Sequence, residues 1–417
     1  MPHEGNQASG KERVIPMALK ENYDVIVVGA GPAGAMAAKE IAKSGASVLA
    51  LDRRKELGAP VRCGEGIGLH WMEELGVKVP PKAVSQEISG SLLIGPDLKK
   101  TVKIQTPETK GYVVDRKVFD KELGIEAARA GADVMVKTEV TGVLKEGSKV
   151  TGVKANVMGD EREFHAPIVI ACDGGESTLA RMAGLNSVAT LYDTDFGVEY
   201  EMVNVDCQDL IEIFFSKKYS PRGYVWIFPK GKDVANVGVG IGGMEAPNAR
   251  MYLDKFIADY QDRLKSAQTV AVKGGVIPVG APMKDIVSDG FMVAGTAAHQ
   301  VDPIHGGGIC LAMEAGKIAG EVAAEAVQAK KFDKAFLNNY YERWSKVREP
   351  KLLRRLALRK ALEQLNDDDF SAVFEVLDDD DVDKLLKGNY APVVMKVIKK
   401  RPQLLKALSA IKDVAMA

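Results

Sequence analysis

Cysteine is scarce in this chain. Cys63, Cys172, Cys207 and Cys310 are the only four in 417 residues. They share no metal-ligand spacing, which argues against a disulfide framework, a zinc site and an iron–sulfur module. No run of about 18 apolar residues occurs, so no segment is built to span a membrane. Neither sign of charge dominates, with 56 Lys and Arg against 57 Asp and Glu. A field that would attract nucleic acid is therefore missing. The opening MPHEGNQASGKERVIP lacks the apolar stretch of a secretory signal. Residues 1–20 read as a flexible tail, Met17 offers a second start, and a cytoplasmic setting is expected. Aromatic residues make up only 6% of the chain, so any cluster of them is informative.

The length exceeds one ordinary core, and two or three domains are expected. The strongest segment is NYDVIVVGAGPAGAMAAKEIAKSGASVLALDRR, from Asn22 to Arg54. A short apolar strand leads into G-x-G-x-x-G, then a helix of small residues, then a second strand ending at Asp52. Gly29 permits the tight turn, and Gly31 lets backbone approach a pyrophosphate. Gly34, after Ala33, allows close helix–strand packing. Asp52 stands where a ribose hydroxyl donates. This is a dinucleotide site; the motif alone does not choose between NAD and FAD.

Three later segments add to it. Lys137 to Thr178 alternates apolar and polar residues through Gly and Asp turns, the pattern of a β-meander. It ends in PIVIACDGG, with Asp173. GYVVDRKVFDKEL places Arg116 at a helix start. DGFMVAGTAAHQVDPIHGGGICLAMEAGKIAG is a strand, a turn, a triple glycine and a small-residue helix. In this order the four segments, across roughly Asn22 to Gln328, resemble the FAD-dependent fold of the p-hydroxybenzoate hydroxylase superfamily. The resemblance implies flavin contacts at Arg116, Asp173 and Gly306, Gly307, Gly308 and Ile309, with Val140 beside the adenine. It departs at Gly295-Thr296, where that superfamily usually has Gly-Asp. A threonine hydroxyl still reaches a ribityl hydroxyl, but without charge; Asp302 is a candidate to compensate.

PVRCGEGIG (Pro60 to Gly68) and YVWIFPKG, followed by a Gly-x-Gly, narrow the resemblance to the geranylgeranyl reductases. The archaeal branch that saturates digeranylgeranylglycerophospholipids is the nearest match, and the acidic LNDDDFSAVFEVLDDDDVDKLL also resembles its members. The resemblance implies a lipid cavity lined by the Y-x-W-x-F-P-K-G stretch and a Cys-Gly-x-Gly turn beside the flavin.

The residues themselves leave choices open. Tyr224, Trp226 and Phe228 fall on one face of a strand. They are either core or the lining for a prenyl guest. Lys230 is either a solvated turn lysine or a holder of the lipid phosphate. Cys63 is either a small buried hydrophobe or a flavin-contacting thiol near the reaction, together with Arg62, Gly64 and Gly66, and with its pKa lowered by the arginine. His299 and His305 read first as surface residues. His305, abutting the triple glycine, is also a candidate at the flavin edge.

The expected architecture mixes α/β and α+β. A Rossmann-like FAD-binding domain (21–90, 111–190, 275–330) interleaves with an antiparallel-sheet domain for the lipid substrate (91–110, 191–274). A helical region follows (331–417). The implied reaction adds hydride from reduced FAD to an isolated alkene of a prenylated glycerophospholipid, with a proton from Cys63, His305 or water. Electrons come from a ferredoxin-like protein or from reduced nicotinamide. Basic stretches after Phe332 suit an anionic membrane surface, hence a peripheral position at the inner face of the membrane, or equally helices packed on the body. No metal or nucleic acid is expected. The rivals are a flavin monooxygenase of the same superfamily, marked by O2 consumption, and a flavoprotein electron carrier.

Overall fold

A computed structural model describes residues 20–402, apart from 379, 382, 383 and 385–388. The expected tail and second start lie outside the described residues except for Lys20, as does the end of the last basic stretch, whose first part belongs to the helix Tyr390–Lys400. The fold is mixed: a Rossmann-like sheet, a large sheet that is antiparallel except for one strand pair, and helices toward the C-terminus.

The first sheet runs in the order Val287–Ser288, Phe291–Val293, Ile168–Ala171, Val25–Val28, Val48–Leu51, Asp133–Met135. Its pairs are parallel except the first. The strands Val25–Val28, Val48–Leu51 and Ile168–Ala171 are buried at every residue. That is why they read as unbroken apolar runs: helices cover both faces of a parallel sheet. The helix Pro32–Lys43 lies against Ile309–Ala329. A β-carbon on Gly316 would stand 2.0 Å from the Ala33 carbonyl oxygen, and one on Gly320 2.6 Å from that of Ala37. The small residues of both helices thus serve a backbone-to-backbone approach. The expected meander is the sheet Thr138–Glu146, Lys149–Val157, Asp160–His165.

The second large sheet has seven strands: Gln268–Pro278, Thr194–Val203, Val234–Gly242, Tyr224–Pro229, Leu210–Phe214, Gly90–Ile94 and Thr101–Ile104. Alternate residues divide its work. Val225, Ile227, Val237, Val239 and Tyr200 point to one face and form a core with Leu253 and Phe256. The other face turns to the nucleotide-binding half.

The helix Asn339–Leu362 buries Tyr340 and Trp344 completely. Three of its arginines also turn inward. Arg348 pairs with Glu314 and Glu74 and lies 4.3 Å from the Trp71 ring centre. Arg355 pairs with Asp302, and Arg359 donates to the Tyr192 carbonyl at 2.9 Å. Of the two readings of this basic helix, these contacts fit packing on the body. No helix among the described residues is long and apolar enough to cross a membrane.

Candidate functional site

The first glycine turn is shaped by what its glycines cannot carry. A β-carbon at Gly29 would lie 2.3 Å from the Cys172 carbonyl oxygen, and one at Gly34 1.8 Å from that of Gly29. At Gly31 the only neighbour is the Arg54 guanidinium, 3.8 Å away. The middle glycine therefore opens a cradle between two closed ones. The helix begins at this point with Pro32 and no side-chain cap, so its first amides and positive end face the cradle. Asp52 is buried and fully engaged. It accepts from the Ala30 amide at 2.9 Å and from the Arg54 amide and guanidinium. Burial pushes its pKa up, but the Arg54 bonds outweigh this and hold it below the usual range. A ribose hydroxyl at Asp52 would have to share it with Arg54.

A second glycine turn completes the groove. Gly308 starts the helix Ile309–Ala329, again without a side-chain cap. The Thr296 hydroxyl stands 3.5 Å from where a Gly308 β-carbon would be. Asp173 offers a buried carboxyl oxygen, Oδ1, that accepts no hydrogen bond among the described residues, while Oδ2 accepts from Leu179 and Thr178. Buried acceptors are normally paired. The open cradle at Gly31, two uncapped helix starts and this unpaired oxygen fit a flavin dinucleotide, with diphosphate, ribityl hydroxyls and a polar ring edge to satisfy.

The face of the seven-stranded sheet turned toward this groove can be read from its register. Lys273, Glu199, Gly238 and Trp226 are successive lateral neighbours on four strands. Beside them run Gly275, Gly197, Gly240 and Tyr224 on one side, and Ala271, Glu201, Asn236 and Phe228 on the other. The glycines form a floor. A β-carbon at Gly238 would lie 2.2 Å from the Trp226 ring, so the indole lies across that residue. Its Nε1 donates to Glu199 Oε2 at 2.9 Å. Phe228 presses on Gly64 and Gly66, whose β-carbons would approach its ring to 3.1 and 3.2 Å. The Tyr224 hydroxyl donates to the His305 carbonyl at 2.6 Å. The aromatic row thus bridges the Cys63 turn and the His305 turn.

Beneath Phe228 sits an ionic cluster. Lys230 pairs with Glu65 at 2.7 Å and Glu201 at 3.0 Å. Lys273 pairs with Glu65 at 3.0 Å, Glu201 at 2.9 Å and Glu199 at 3.4 Å. Asn236 donates to Glu65 and to the Gly64 carbonyl. Burial raises Glu65, but Lys230 and Lys273 outweigh it and hold the carboxylate low. Burial dominates at Glu199 and pushes its pKa up to about 7. Asp195, two places before Gly197 on the same strand face, is also raised by burial to about 7.

Residues 193–277, which contain this face, match the geranylgeranyl reductase catalytic domain family, and residues 27–76 match the NAD(P)-binding Rossmann-like domain family. The digeranylgeranylglycerophospholipid reductase of Methanocaldococcus jannaschii is 41% identical over 396 residues, which cover 93% of this chain and 98% of that protein. The chain belongs to the digeranylgeranylglycerophospholipid reductase family. It is an oxidoreductase of that family. A second relative, digeranylgeranylglycerophospholipid reductase 2 of Methanopyrus kandleri, is 37% identical and covers 92% of this chain and 98% of that protein. Among solved structures, a geranylgeranyl bacteriochlorophyll reductase-like protein of Thermoplasma acidophilum superposes with a TM-score of 0.86 at 33% identity. The match covers 94% of this chain and 99% of that one. A flavin-dependent brominase shares the fold, with a TM-score of 0.72 at 20% identity over 95% of this chain and all of that one.

Within this family frame, several expectations need correction. The Cys63 thiol is raised, not lowered: burial drives it up, and Arg116 only partly opposes this. Arg62, its sequence neighbour, points away to Glu176 at the surface. Lys230 is neither a solvated turn lysine nor free for a phosphate, because two carboxylates hold it. Asp302 does not stand in for a ribityl partner. It is bound by Arg355 and by the amides of Ile304 and His305. His299 is buried, bonded to the Ser187 carbonyl. The His305 ring is half-exposed and folds back on the Gly307 amide. Arg116 pairs with Asp120, and Val140 sits in the meander strand that begins where Thr138 bonds Asp52. Glu65, Asp195, Glu199, Glu201, Asn236 and Lys273 went unread. The signal was D-x-G-x-E-x-E from Asp195 to Glu201, acids on the alternate positions of a strand otherwise apolar.

Proposed function

We propose that the chain is an FAD-dependent reductase that saturates geranylgeranyl chains of archaeal ether phospholipid precursors. One observation carries this reading: the Tyr224, Trp226 and Phe228 row lies outside the core of its own sheet and links two glycine turns across a groove suited to a dinucleotide. In this reading Gly29, Gly31 and Gly34 would hold the FAD diphosphate, Gly307, Gly308 and Ile309 would receive its ring end, and Asp173 and Thr296 would serve its hydroxyls. When bound, it supplies the hydride that an unpolarised alkene needs. The protein's own task is to hold the prenyl chain against the aromatic face and to exclude water. With the single Rossmann turn given to FAD, electrons arrive from outside, from a ferredoxin-like carrier or a transiently bound nicotinamide. The lipid substrate makes peripheral membrane contact the natural working position.

The test is anaerobic. Reduced protein is incubated with an unsaturated digeranylgeranyl ether phospholipid, and the lipid is weighed by mass spectrometry. Mass gains in steps of two hydrogens are expected. An oxygenated product formed only in air, or no change with fully reduced flavin, overturns the reading.

A further inference from the structure

Saturating an alkene requires a proton as well as a hydride, and the ionic cluster raises the question of where one is kept. Glu65, Glu199 and Glu201 face Lys230 and Lys273, three carboxyls against two ammonium groups. With every group ionised the cluster carries one uncompensated negative charge, which a buried site tolerates poorly. One carboxyl must be favoured to hold a proton. Glu65 is engaged by both lysines and by Asn236. Glu201 is bound by both lysines and is a quarter exposed. Glu199 is the remaining one. Its side chain is 4% exposed, Lys273 at 3.4 Å from Oε1 is the one cation paired with it among the described residues, and Oε1 accepts no hydrogen bond among them. An acid oxygen left over in this way is suited to carry a hydrogen. Glu199 also adjoins the place where the groove and the aromatic row meet. Its Oε2 takes the Trp226 N–H and lies 3.4 Å from the β-carbon position of Gly64 in the Cys63 turn.

We propose that Glu199, standing as a carboxylic acid, supplies the proton that completes saturation. This rests on the functional reading above. The balance is simple. A hydride from the reduced flavin forms one C–H bond, and the alkene π pair forms the second by taking the Glu199 proton. The O–H electron pair stays on Glu199 as carboxylate, beside Lys273. Glu201, the most exposed member of the cluster, is the route by which solvent returns the proton. The groups facing Glu199 are Lys273 from the neighbouring strand, Trp226 across Gly238, Glu65 and Cys63 from the turn, and Glu201 along its own strand. Its raised pKa agrees with the assignment, since an acid of about 7 both holds and releases a proton near neutrality.

The experiment has a spectroscopic arm and a kinetic arm. Infrared difference spectra of the purified protein between pH 6 and 8.5 are expected to show a carboxylic-acid carbonyl band that shifts in D2O. Glu199→Gln should remove a band that Asp195→Asn leaves in place. In the kinetic arm, Glu199→Gln should keep its flavin and its rate of chemical reduction, yet lose about a hundredfold or more in lipid saturation. If Glu199→Gln leaves the infrared bands unchanged, or saturates the lipid at the wild-type rate, the proposal is overturned while the reductase reading stands. If the wild-type protein itself saturates no prenyl lipid, the reductase reading falls and the proposal with it.

Discussion

The indole N–H of Trp226 reaches Glu199 across Gly238, at 2.9 Å, from two strands away. Only a glycine at position 238 allows this, because any β-carbon would lie 2.2 Å from the ring. Gly238→Ala should therefore expel the indole from its bed. The expected result is a changed tryptophan emission and a destabilisation of about 1–3 kcal/mol, the usual cost of overpacking. Thermal melts and fluorescence of the purified variant check it. An unaltered spectrum would mean that the ring does not lie over Gly238 in solution.

Glu199 also gives stability a pH dependence of definite sign. Its pKa rises from 4.5 unfolded to about 7 folded. The folded protein then binds more protons than the unfolded chain between those values. The associated stability is complete below about 4.5 and is lost as pH rises through 7. The shift corresponds to about 3 kcal/mol, as an order of magnitude. Glu199→Gln removes the titration and keeps an acceptor for Trp226. Its melting temperature relative to wild type should climb from pH 5 to pH 8. A difference that stays flat over that interval contradicts the assigned shift.

Lys273 is the strand neighbour that offsets three carboxyls at once. Lys273→Met leaves only Lys230 to face them. A loss of about 3–5 kcal/mol is expected, typical of a buried ionic group left without its partner. At pH 8.5, above the Glu199 pKa of about 7 and so with its carboxylate ionised, the loss should be smaller in the Glu199→Gln background, where that charge is absent. Denaturant titrations of the four proteins form a double-mutant cycle. Strict additivity would show that Lys273 and Glu199 do not interact.

The nucleotide-binding half was legible because its cues are local. Gly34 meets the Gly29 carbonyl five residues back, a contact contained in the G-x-G-x-x-G spacing itself, whereas Gly29 and Gly316 meet the distant Cys172 and Ala33. The aromatic row was legible as a face but not as a side. Alternation says that Tyr224, Trp226 and Phe228 look the same way; only the partners of Val225 and Ile227 decide which way is core. The ionic cluster was illegible for a different reason. Glu65 lies in one loop, Lys230 at a strand end, and Glu199, Asn236 and Lys273 on three strands. Register alone brings them together. Lys230 and Arg62 were misread because a lysine or arginine in a turn is usually solvated or meets a ligand, and no local rule foretells a carboxylate arriving from far along the chain.

Thr296 stands where the superfamily resemblance leads one to expect an acid, and Asp302 is not free to stand in for it. Asp302 is buried and bound by Arg355, so it has no freedom to serve a ribityl chain. The Thr296 hydroxyl lies near Gly308, at the uncapped start of a 21-residue helix whose positive end favours a negative group. If FAD lies in this groove, its ribityl hydroxyl meets a neutral partner at Thr296. Thr296→Asp would then replace a neutral hydrogen bond by a charge-assisted one, a gain of roughly 1 kcal/mol. That corresponds to about five- to tenfold tighter FAD. Thr296→Val keeps the shape but removes donor and acceptor, and should loosen FAD by a similar factor. Titration of apoprotein with FAD measures both. If Val binds as tightly as Thr, the hydroxyl does not touch the cofactor. If Asp weakens binding, the site is built around a neutral residue at this position and the charge-assisted bond does not form.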